Sequence, residues 1–507
     1  MASEEEGSVG YRQKHMMNIN FNEHNTINLS WIGGAASTLL SLPYFIRGLK
    51  EKPLAGVHSL NICIFDPHGL NPGLAYRVSN PGFCLNQPAG KDMDAFHEAG
   101  PGLPLSFLHW LNGSDYRANQ NSDYTEHSFV PRRAFGDYLL YVRDWISDEI
   151  SSLPYVHLHE IKQHVKSIET LIPKNGGAKY YNLLTEKGDL FRTHGYTLAT
   201  GHSFQLKLDQ PHNQYLAAYV DHDFEARLAN LAKTTDAKRF IGSGASMTDI
   251  ICALEHMGHQ GQYIVISPHG NTGWRYNPDS PRPHNDAVNA YILPFLSSSD
   301  TFRNTTLAIR RLLNVSFEHG GIAPQYILGA LLEHPQVISE PSLRKPLEAF
   351  YGNPHSSQRF DQINQLERIG RLEYKIDRVD RLQPQQGALE IIYRSGASET
   401  IRSPIIDCAV VRRGIPQSGL VPHLIGQKTL PVSTKNPQIL EMNPVPFELV
   451  FAIGTLRNSH KNGIGTFRQD YQEAPSLLLN YLSLSCAHRA RYAFTAFQTP
   501  LYHCTHT

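Results

Sequence analysis

The chain has 507 residues, 41% of them hydrophobic and 18% charged, with a formal net charge of +0 at pH 7. That length exceeds one ordinary core and predicts two or more domains of a soluble globular class, while the neutral balance excludes a general nucleic-acid binder. No run approaches the ~20 apolar residues of a membrane span, and Cys63, Cys84, Cys252, Cys408, Cys486 and Cys504 lie far apart without a CxxC pair, which predicts neither a disulfide framework nor a metal site.

The scattered cysteines point to a reducing cytoplasm; the chain opens with MASEEEGSVGYRQKH, polar and acidic and unlike a signal peptide, and residues 1–25 read as a flexible arm. From Thr26 an apolar strand, TINLSWI, runs into Gly33 and Gly34 and then a helix-like stretch to Leu49. The next β-like run, SLNICIF, is followed by an acid, Asp66. Strand, glycine turn, helix and strand in this order form a dinucleotide-binding unit. The turn brings a pyrophosphate onto the free N–H groups and positive dipole end of the helix. The acid after the second strand accepts ribose hydroxyls. Read from Gly33, the turn is G-G-A-A-S-T, so Ala35 and Thr38 fill the second and third glycine positions. Gly33, Gly34, Ala35, Ser37 and Asp66 are therefore the candidate cofactor ligands, with a plain buried turn as the alternative. A side chain at Gly33 is expected to fill the space of the pyrophosphate.

Residues 68–128 are loop-rich and read as a cover over cofactor or substrate. Within them, LNQPAG sets Asn86 and Gln87 before a proline-fixed turn. Neutral amides can donate hydrogen bonds to a flavin or a peroxide, which makes both catalytic candidates; turn capping is the alternative. Arg132 and Arg133 precede AFGDYL, and a guanidinium fork suits a pyrophosphate; a solvated pair is the alternative. Tyr138, Val142 and Trp145 fall at helical spacing and read as core. The run YTLATGH ends a strand in small residues, Thr200 and Gly201, which suit backbone packed on a cofactor.

A second unit starts at Ala237 with AKRFIGSGASMTDIICALEHMGHQGQYIVISPHG. Its candidate ligands are Gly242, Ser243, Gly244, Ser246 and Met247, the last at the third glycine position. Thr305–Pro335 reads as helical, and Ile369–Val411 alternates apolar and polar residues like strands and hairpins. Near the C-terminus, LVFAIGTLR carries Gly454.

In order, these stretches resemble one family. IFDPHGLNPGLAYRVSNPGFCLNQPAG is similar to the DPhxxGxGxAY…LNxPAG of bacterial FAD/NAD(P)-binding proteins related to class B flavin-dependent N-hydroxylating monooxygenases. FVPRRAFGDYLLYV resembles their PRxxFGxYL, YTLATGH their ATGH, IGSGASMTDII their GTGLTMVD turn, and LVFAIGTLR the strand that closes over the flavin. The matches span residues 27–485. The resemblance implies an α/β fold with two dinucleotide-binding Rossmann-like domains. A nicotinamide domain, 213–412, is inserted into a discontinuous FAD domain made of 26–212 and 413–507. It implies FAD and NADPH as cofactors, dioxygen and a small molecule as substrates, and transfer of one oxygen atom to a small polar nucleophile, an amine nitrogen. Composition and cysteine spacing already point away from nucleic acid, membrane or metal, and the oligomeric state stays unknown. Two other readings stay open: a flavin-dependent NAD(P)H oxidoreductase or dehydrogenase without oxygenation, and a degenerate nucleotide-binding scaffold.

Three departures stand out. The first turn has two glycines where the family has three. Arg412 and Arg413 stand where the family often has Cys-Thr. After the second unit the family tends to have Ser-Arg-Arg-Gly, but this chain has Ser267-Pro268-His269-Gly270, and the nearest arginine beyond is Arg275. The 2′-phosphate of NADPH needs a cation, so NADH is the alternative nicotinamide cofactor.

Overall fold

The computed structural model describes residues 25–85, 87–90, 93–96, 100–118, 123–172, 179–201, 203–204, 206–208, 212–221, 223–277, 279–298, 305–351, 353–412, 419–427, 430, 432, 440, 442, 449–453 and 468–497. The first strand, β1 (Thr26–Ile32), is buried along its whole length, as a parallel strand covered on both faces must be. The chain turns at Gly33, where φ is 107°, into α1 (Ala36–Glu51). α1 buries Leu39, Leu40, Leu42, Phe45, Ile46 and Leu49. β2 (Ser59–Phe65) returns parallel to β1, with Ile32 opposite Phe65. Among the described residues, the loop-rich region beyond it holds a 3-10 turn at Leu74–Tyr76 and two short helices, Phe107–Gly113 and Asp115–Ala118.

α2 (Arg132–Ser151) packs on α1 and buries Phe135, Tyr138, Leu139, Val142 and Ile146, so the apolar spacing read in this segment is core packing. β3 (Val156–Ile161) and β4 (Gly195–Leu198) follow. Next come β5 (Tyr215–Ala217), β6 (Lys238–Ile241), α3 (Ala245–His256) and β7 (Tyr263–Ile266). Then a group of helices, Asn285–Ser297, Thr305–Gly320, Pro324–Glu333 and Pro341–Tyr351, closes round its own apolar centre, including Ile309, Leu328, Leu347 and Phe350. α4 (Ser357–Arg368), β8 (Leu372–Lys375) and β9 (Ile405–Asp407) complete this part, and β10 (Val450–Ala452) and α5 (Arg468–Phe497) end the described chain.

The strands form two parallel sheets, ordered β10-β4-β1-β2-β3 and β8-β7-β6-β9-β5. Every strand of the second sheet falls between Tyr215 and Asp407, and the chain then rejoins the first sheet at β10. The outgoing and returning segments cross there as an antiparallel pair, Ser203–Phe204 against Val411–Arg412.

The alternation over Ile369–Val411 is only partly a set of hairpins. Val379–Gln385, Ala388–Tyr393 and Ser398–Ile401 form an antiparallel meander, but β8 and β9 on either side are parallel members of the second sheet. A strand of three or four residues is too short for its period to reveal which kind of neighbour it has.

A Cβ built on Gly33 stands 2.2 Å from the carbonyl oxygen of Ala199, just past the end of β4. A side chain at this position therefore meets protein before it can meet a ligand, which corrects the expected reason for its glycine. We predict that Gly33→Val gives little folded protein, because it adds a positive-φ penalty to a backbone collision. Soluble yield and thermal melting check this; a variant that folds normally and lacks only cofactor would restore the simpler reading.

Candidate functional site

Both sheets present a glycine turn and a helix N-terminus at their carboxyl edges. In the first, α1 starts after Ala35 with no side-chain cap. The leading N–H groups of a helix have no acceptor within it, so this end suits an anion. Thr38, fully buried at the third glycine position, donates its hydroxyl to the Gly33 carbonyl. That bond shows how a threonine is accommodated there. The Asp66 carboxylate accepts from the backbone N–H of Gly34 (2.9 Å) and of His68 (2.9 Å), and from Asn71 Nδ2 (3.2 Å). A carboxylate offers about four lone-pair sites, so capacity for a further donor remains. Asn71 N–H donates to the Gly34 carbonyl (3.0 Å), and Asn71 Oδ1 accepts from Arg77 (2.7 Å). The loop after β2 is thereby stapled onto the turn, and it brings a guanidinium with it. Ser37 lies beside Tyr471 of α5.

In the second sheet, Gly242 takes φ 92° and lies against Ala409, where a Cβ would stand 3.3 Å from the alanine methyl. Gly244 begins α3 with no side-chain cap, and a Cβ there would meet nothing within 4 Å. Ser246 is half-buried on the first turn of α3. Between the glycines, Ser243 is buried and held by a polar network. Its hydroxyl pairs with Ser267 Oγ (2.8 Å), and its carbonyl accepts from Asn353 Nδ2 (3.3 Å) and Thr272 Oγ1 (3.5 Å). His355 extends the network: its Nε2 lies 3.0 Å from Asn353 Oδ1 and 3.2 Å from Thr248 Oγ1 of α3. Burial pushes the His355 pKa down to about 3; the Arg359 charge adds to the effect and Asp249 opposes it.

Between the two turns sits a buried ionic group. Asp249 of α3 is fully buried. Its Oδ2 accepts from Arg132 Nε (2.8 Å) and Nη2 (2.6 Å), and from the Tyr219 hydroxyl (3.0 Å); its Oδ1 pairs with Arg359 of α4. Burial lowers the Arg132 pKa, but the facing Asp249 charge, joined by Tyr219, Tyr76 and the hydrogen bonds to Asp249, together outweighs it, so the group stays charged; for Arg359 the Asp249 charge is joined by Cys252, Cys84 and its hydrogen bond to Asp249, with the same net result. Tyr219 has φ of 64° and lies under the Arg132 guanidinium at 5.3 Å. A left-handed backbone is strained for a bulky residue. Here it is kept by the hydroxyl bond to Asp249 and by the rings of Phe83 and Phe224, 5.8 and 5.2 Å away.

These positions revise several expectations. Arg132 is committed to Asp249 and does not point a free fork at a pyrophosphate. Arg133 lies on the half-exposed face of α2, paired with Asp137 at 2.8 Å, which is the solvated arrangement. Met247 is buried in the core of the second unit, so its role is packing between helix and sheet and not ligand contact. Gln87 is half-buried in a loop pinned on both sides, by Leu85 N–H to Val130 O and Ala89 N–H to Ser128 O, both 2.8 Å. Thr200 is exposed and Gly201 takes φ 73° with open space around it. Asn86 and Gly454 lie outside the described residues. The reading from sequence missed Asn71, Arg77, Tyr219, Asp249, Asn353, His355 and Arg359; only Asp249, one turn beyond the glycines of the second unit, carried a nearby signal.

Four thiols among the described residues are held protonated. Burial pushes Cys63 up to about 12 and also raises Cys84, Cys252 and Cys408. Among the described residues no three His, Cys, Asp or Glu side chains are grouped to hold a metal ion, and no helix is long and apolar enough to cross a membrane.

Two parallel sheets, each entered through a strand, a glycine turn and a helix, define a Rossmann-like α/β protein. Residues 32–203 match a family model described as FAD-NAD(P)-binding. No curated protein matches the chain significantly. Among solved structures, the chain is similar to the reduced form of ornithine hydroxylase from Pseudomonas aeruginosa, with a TM-score of 0.56 and 14% identity over 91% of this chain and 99% of that one. It is similar to a cadaverine monooxygenase of desferrioxamine biosynthesis from Erwinia amylovora, bound to FAD, with a TM-score of 0.54 and 13% identity over 90% and 95% of the two chains. It also resembles L-lysine 6-monooxygenase from Pseudomonas syringae, with a TM-score of 0.52 and 13% identity over 91% and 99%. At these identities the likeness is one of fold: the chain has the fold of the class B N-hydroxylating monooxygenases, with an FAD-NAD(P)-binding segment at 32–203.

Two expectations follow from the geometry. Asp249→Ala leaves two buried guanidinium groups without a counter-ion and should cost about 3–5 kcal/mol. Arg133→Ala removes only an exposed i,i+4 pair and should cost about 0.3–0.5 kcal/mol. Thermal melting of the two variants side by side checks the contrast, and equal melting points would remove the buried group from its structural role.

The second concerns pH. The folded pKa of His355 is about 3 and its ordinary value 6.5. Between these values the unfolded chain binds a proton that the folded chain does not. Stability is therefore full above 6.5 and falls as the pH drops towards about 3, by about 1.4 kcal/mol per pH unit for one proton. His355→Gln should melt with a flatter acid limb than the wild type; parallel curves of melting temperature against pH would assign the acid loss elsewhere.

Proposed function

We propose that the chain is an FAD-dependent, NADPH-driven monooxygenase that transfers one oxygen atom to the amine nitrogen of a small polar substrate. The observation that carries this reading is the pair of uncapped glycine-turn helices, α1 and α3, on separate parallel sheets locked together by Asp249. The fold neighbours support it, since they are an ornithine hydroxylase, a lysine monooxygenase and a cadaverine monooxygenase. All three act on amines.

In this reading the FAD domain comprises 26–212 and 413–507, and the nicotinamide domain, 213–412, is inserted between them. Gly33, Gly34, Ala35 and Ser37 shape the turn for the FAD pyrophosphate, and Asp66 offers its remaining acceptor capacity to a ribose hydroxyl. Gly242, Ser243, Gly244 and Ser246 shape the turn for the NADPH pyrophosphate. The residues present fit both groups: each helix end is uncapped, and the space at Gly244 is open. Bound flavin, reduced by NADPH, supplies the oxygen-activating chemistry. The protein holds the two nucleotides in one relation and, through 68–128, shelters the reacting atoms from water. Gln87, a neutral amide on a pinned loop, is the donor we assign to the flavin side, with Asn86 beside it in sequence, and Thr200 and Gly201 border the same edge of the first sheet.

The test is direct. The purified protein should show flavin absorption. It should oxidise NADPH faster with ornithine, lysine or cadaverine present, and give a product heavier by one oxygen atom. A colourless protein would point to a nucleotide-binding scaffold; NADPH consumption with no oxygenated product from a wider amine panel would point to an oxidase or dehydrogenase.

Gly244→Val separates the two sites. It should raise the apparent KM for NADPH by about tenfold or more, because bulk enters the pyrophosphate's approach, while flavin content stays at the wild-type level. Absorbance reads the flavin and anaerobic stopped flow reads its reduction. Loss of flavin and reduction together would deny the second turn a site of its own.

A further inference from the structure

The loop after β7 is where a dinucleotide unit distinguishes its cofactors. An acid there accepts from the ribose 2′-hydroxyl, and an arginine nearby takes a 2′-phosphate. Here the loop reads Ser267, Pro268, His269 and supplies neither. Burial, followed by the charge of Arg378, lowers the His269 pKa, so it is neutral at neutral pH. The nearest arginine in sequence, Arg275, is already engaged: it pairs with Asp361 and lies over the ring of Phe360 at 5.4 Å.

Three other segments supply cations to this edge. A cavity of about 520 Å³ opens beside the carboxyl ends of β7 and β8, and His269, Lys345, Asp377, Arg378, Arg394 and Ser395 are among its walls. Arg378 follows β8, Arg394 comes from the turn of the meander's last hairpin, and Lys345 comes from the helix Pro341–Tyr351. All three side chains are exposed, and none is ion-paired among the described residues. The two arginine-bearing turns are tied by the Arg394 N–H, which donates to the Arg378 carbonyl at 2.8 Å. One carboxylate faces the same space, Asp377, and it is occupied by Ser395 Oγ and the Arg378 N–H, both 2.7 Å away. Three cations against one engaged carboxylate make this an anion site.

Its place in the sheet identifies the anion. The order β8-β7-β6 runs from the cavity to the glycine turn. A dinucleotide with its pyrophosphate on Gly242–Gly244 lays its adenosine across the end of β7 towards β8. The ribose 2′-position then lies at the cavity. We propose that Arg378, Arg394 and Lys345 form the subsite for the 2′-phosphate of NADPH, in place of the arginines missing from the loop after β7. This rests on reading the second unit as the nicotinamide-nucleotide site. Paired forks suit a phosphate, with the lysine as a third point charge.

The test compares adenosine 2′,5′-bisphosphate with adenosine 5′-monophosphate, by calorimetry on the full-length protein, with inorganic phosphate as a third titrant. The wild type should prefer the bisphosphate by about tenfold or more. Arg378→Ala and Arg394→Ala should each cut that preference several-fold, and the double variant should abolish it. Affinity for the monophosphate should not change in any of them. Arg378→Lys should keep part of the preference, and added salt should shrink it, since exposed charges are screened. Gly244→Val should weaken both nucleotides in proportion. A preference that survives the double variant, or a wild type with none, overturns the subsite and leaves the nucleotide site standing. Binding of inorganic phosphate at equal strength, lost in the same variants, overturns it in favour of a general anion site. Folded wild type that binds neither nucleotide overturns the subsite together with the reading beneath it.

Discussion

A single carboxylate, Asp249, sets the relation between the two halves of this molecule. It is buried between Arg132, the first residue of α2 in one unit, and Arg359 of α4 in the other. Buried ion pairs are costly to assemble and far more costly to break on one side. Such a contact does little for stability by mere presence, but it penalises any arrangement in which the halves part. Neighbouring contacts follow from it. Glu225 takes the backbone N–H of Ser79 (2.8 and 2.9 Å) and of Asn80 (3.0 Å), and a Cβ on Gly82 would stand 2.5 Å from the Ala253 backbone on α3. The loop leading from the first nucleotide turn is thus pressed against the helix of the second. Chemistry that passes a hydride between two bound nucleotides depends on such a fixed separation.

The two turns reach rigidity by different routes. In the first, the locking groups are close in sequence: Thr38 back to Gly33, and Asp66 and Asn71 across to Gly34. In the second they are remote, because Asn353 and His355 reach Ser243 and Thr248 from beyond the helical group. The short parallel pairing of Trp274–Arg275 with Pro354–His355 delivers them. Neither turn keeps the third glycine. A threonine bonded to the turn's own carbonyl and a methionine sunk into the core fill that place, so close helix–sheet packing has more than one solution.

This difference sets what could be read from the sequence. Strand, turn, helix and strand are neighbours along the chain, and both such units were visible in residues 26–66 and 237–267. The helical face of Tyr138 and Val142 was visible for the same reason. The partner of Arg132 was not, since it lies 117 residues away. A guanidinium beside a nucleotide motif suggests phosphate, and nothing local reveals a carboxylate on another domain. Likewise β8 and β9 resemble hairpin strands until their parallel neighbours are known.

The same distinction separates binding from selection in the second unit. A pyrophosphate needs backbone N–H groups and a helix end, which a short run of chain supplies by itself. Choosing between cofactors that differ by one phosphate needs side-chain charge at a point across the sheet. When the loop after β7 carries Pro268 and His269, that charge has to come from whichever segments end nearby. β8 ends there, and a turn of the meander and the helix Pro341–Tyr351 reach the same place. The additions that make this unit larger than a bare dinucleotide fold also bring its unpaired cations, so cofactor preference and the inserted segments have to change together.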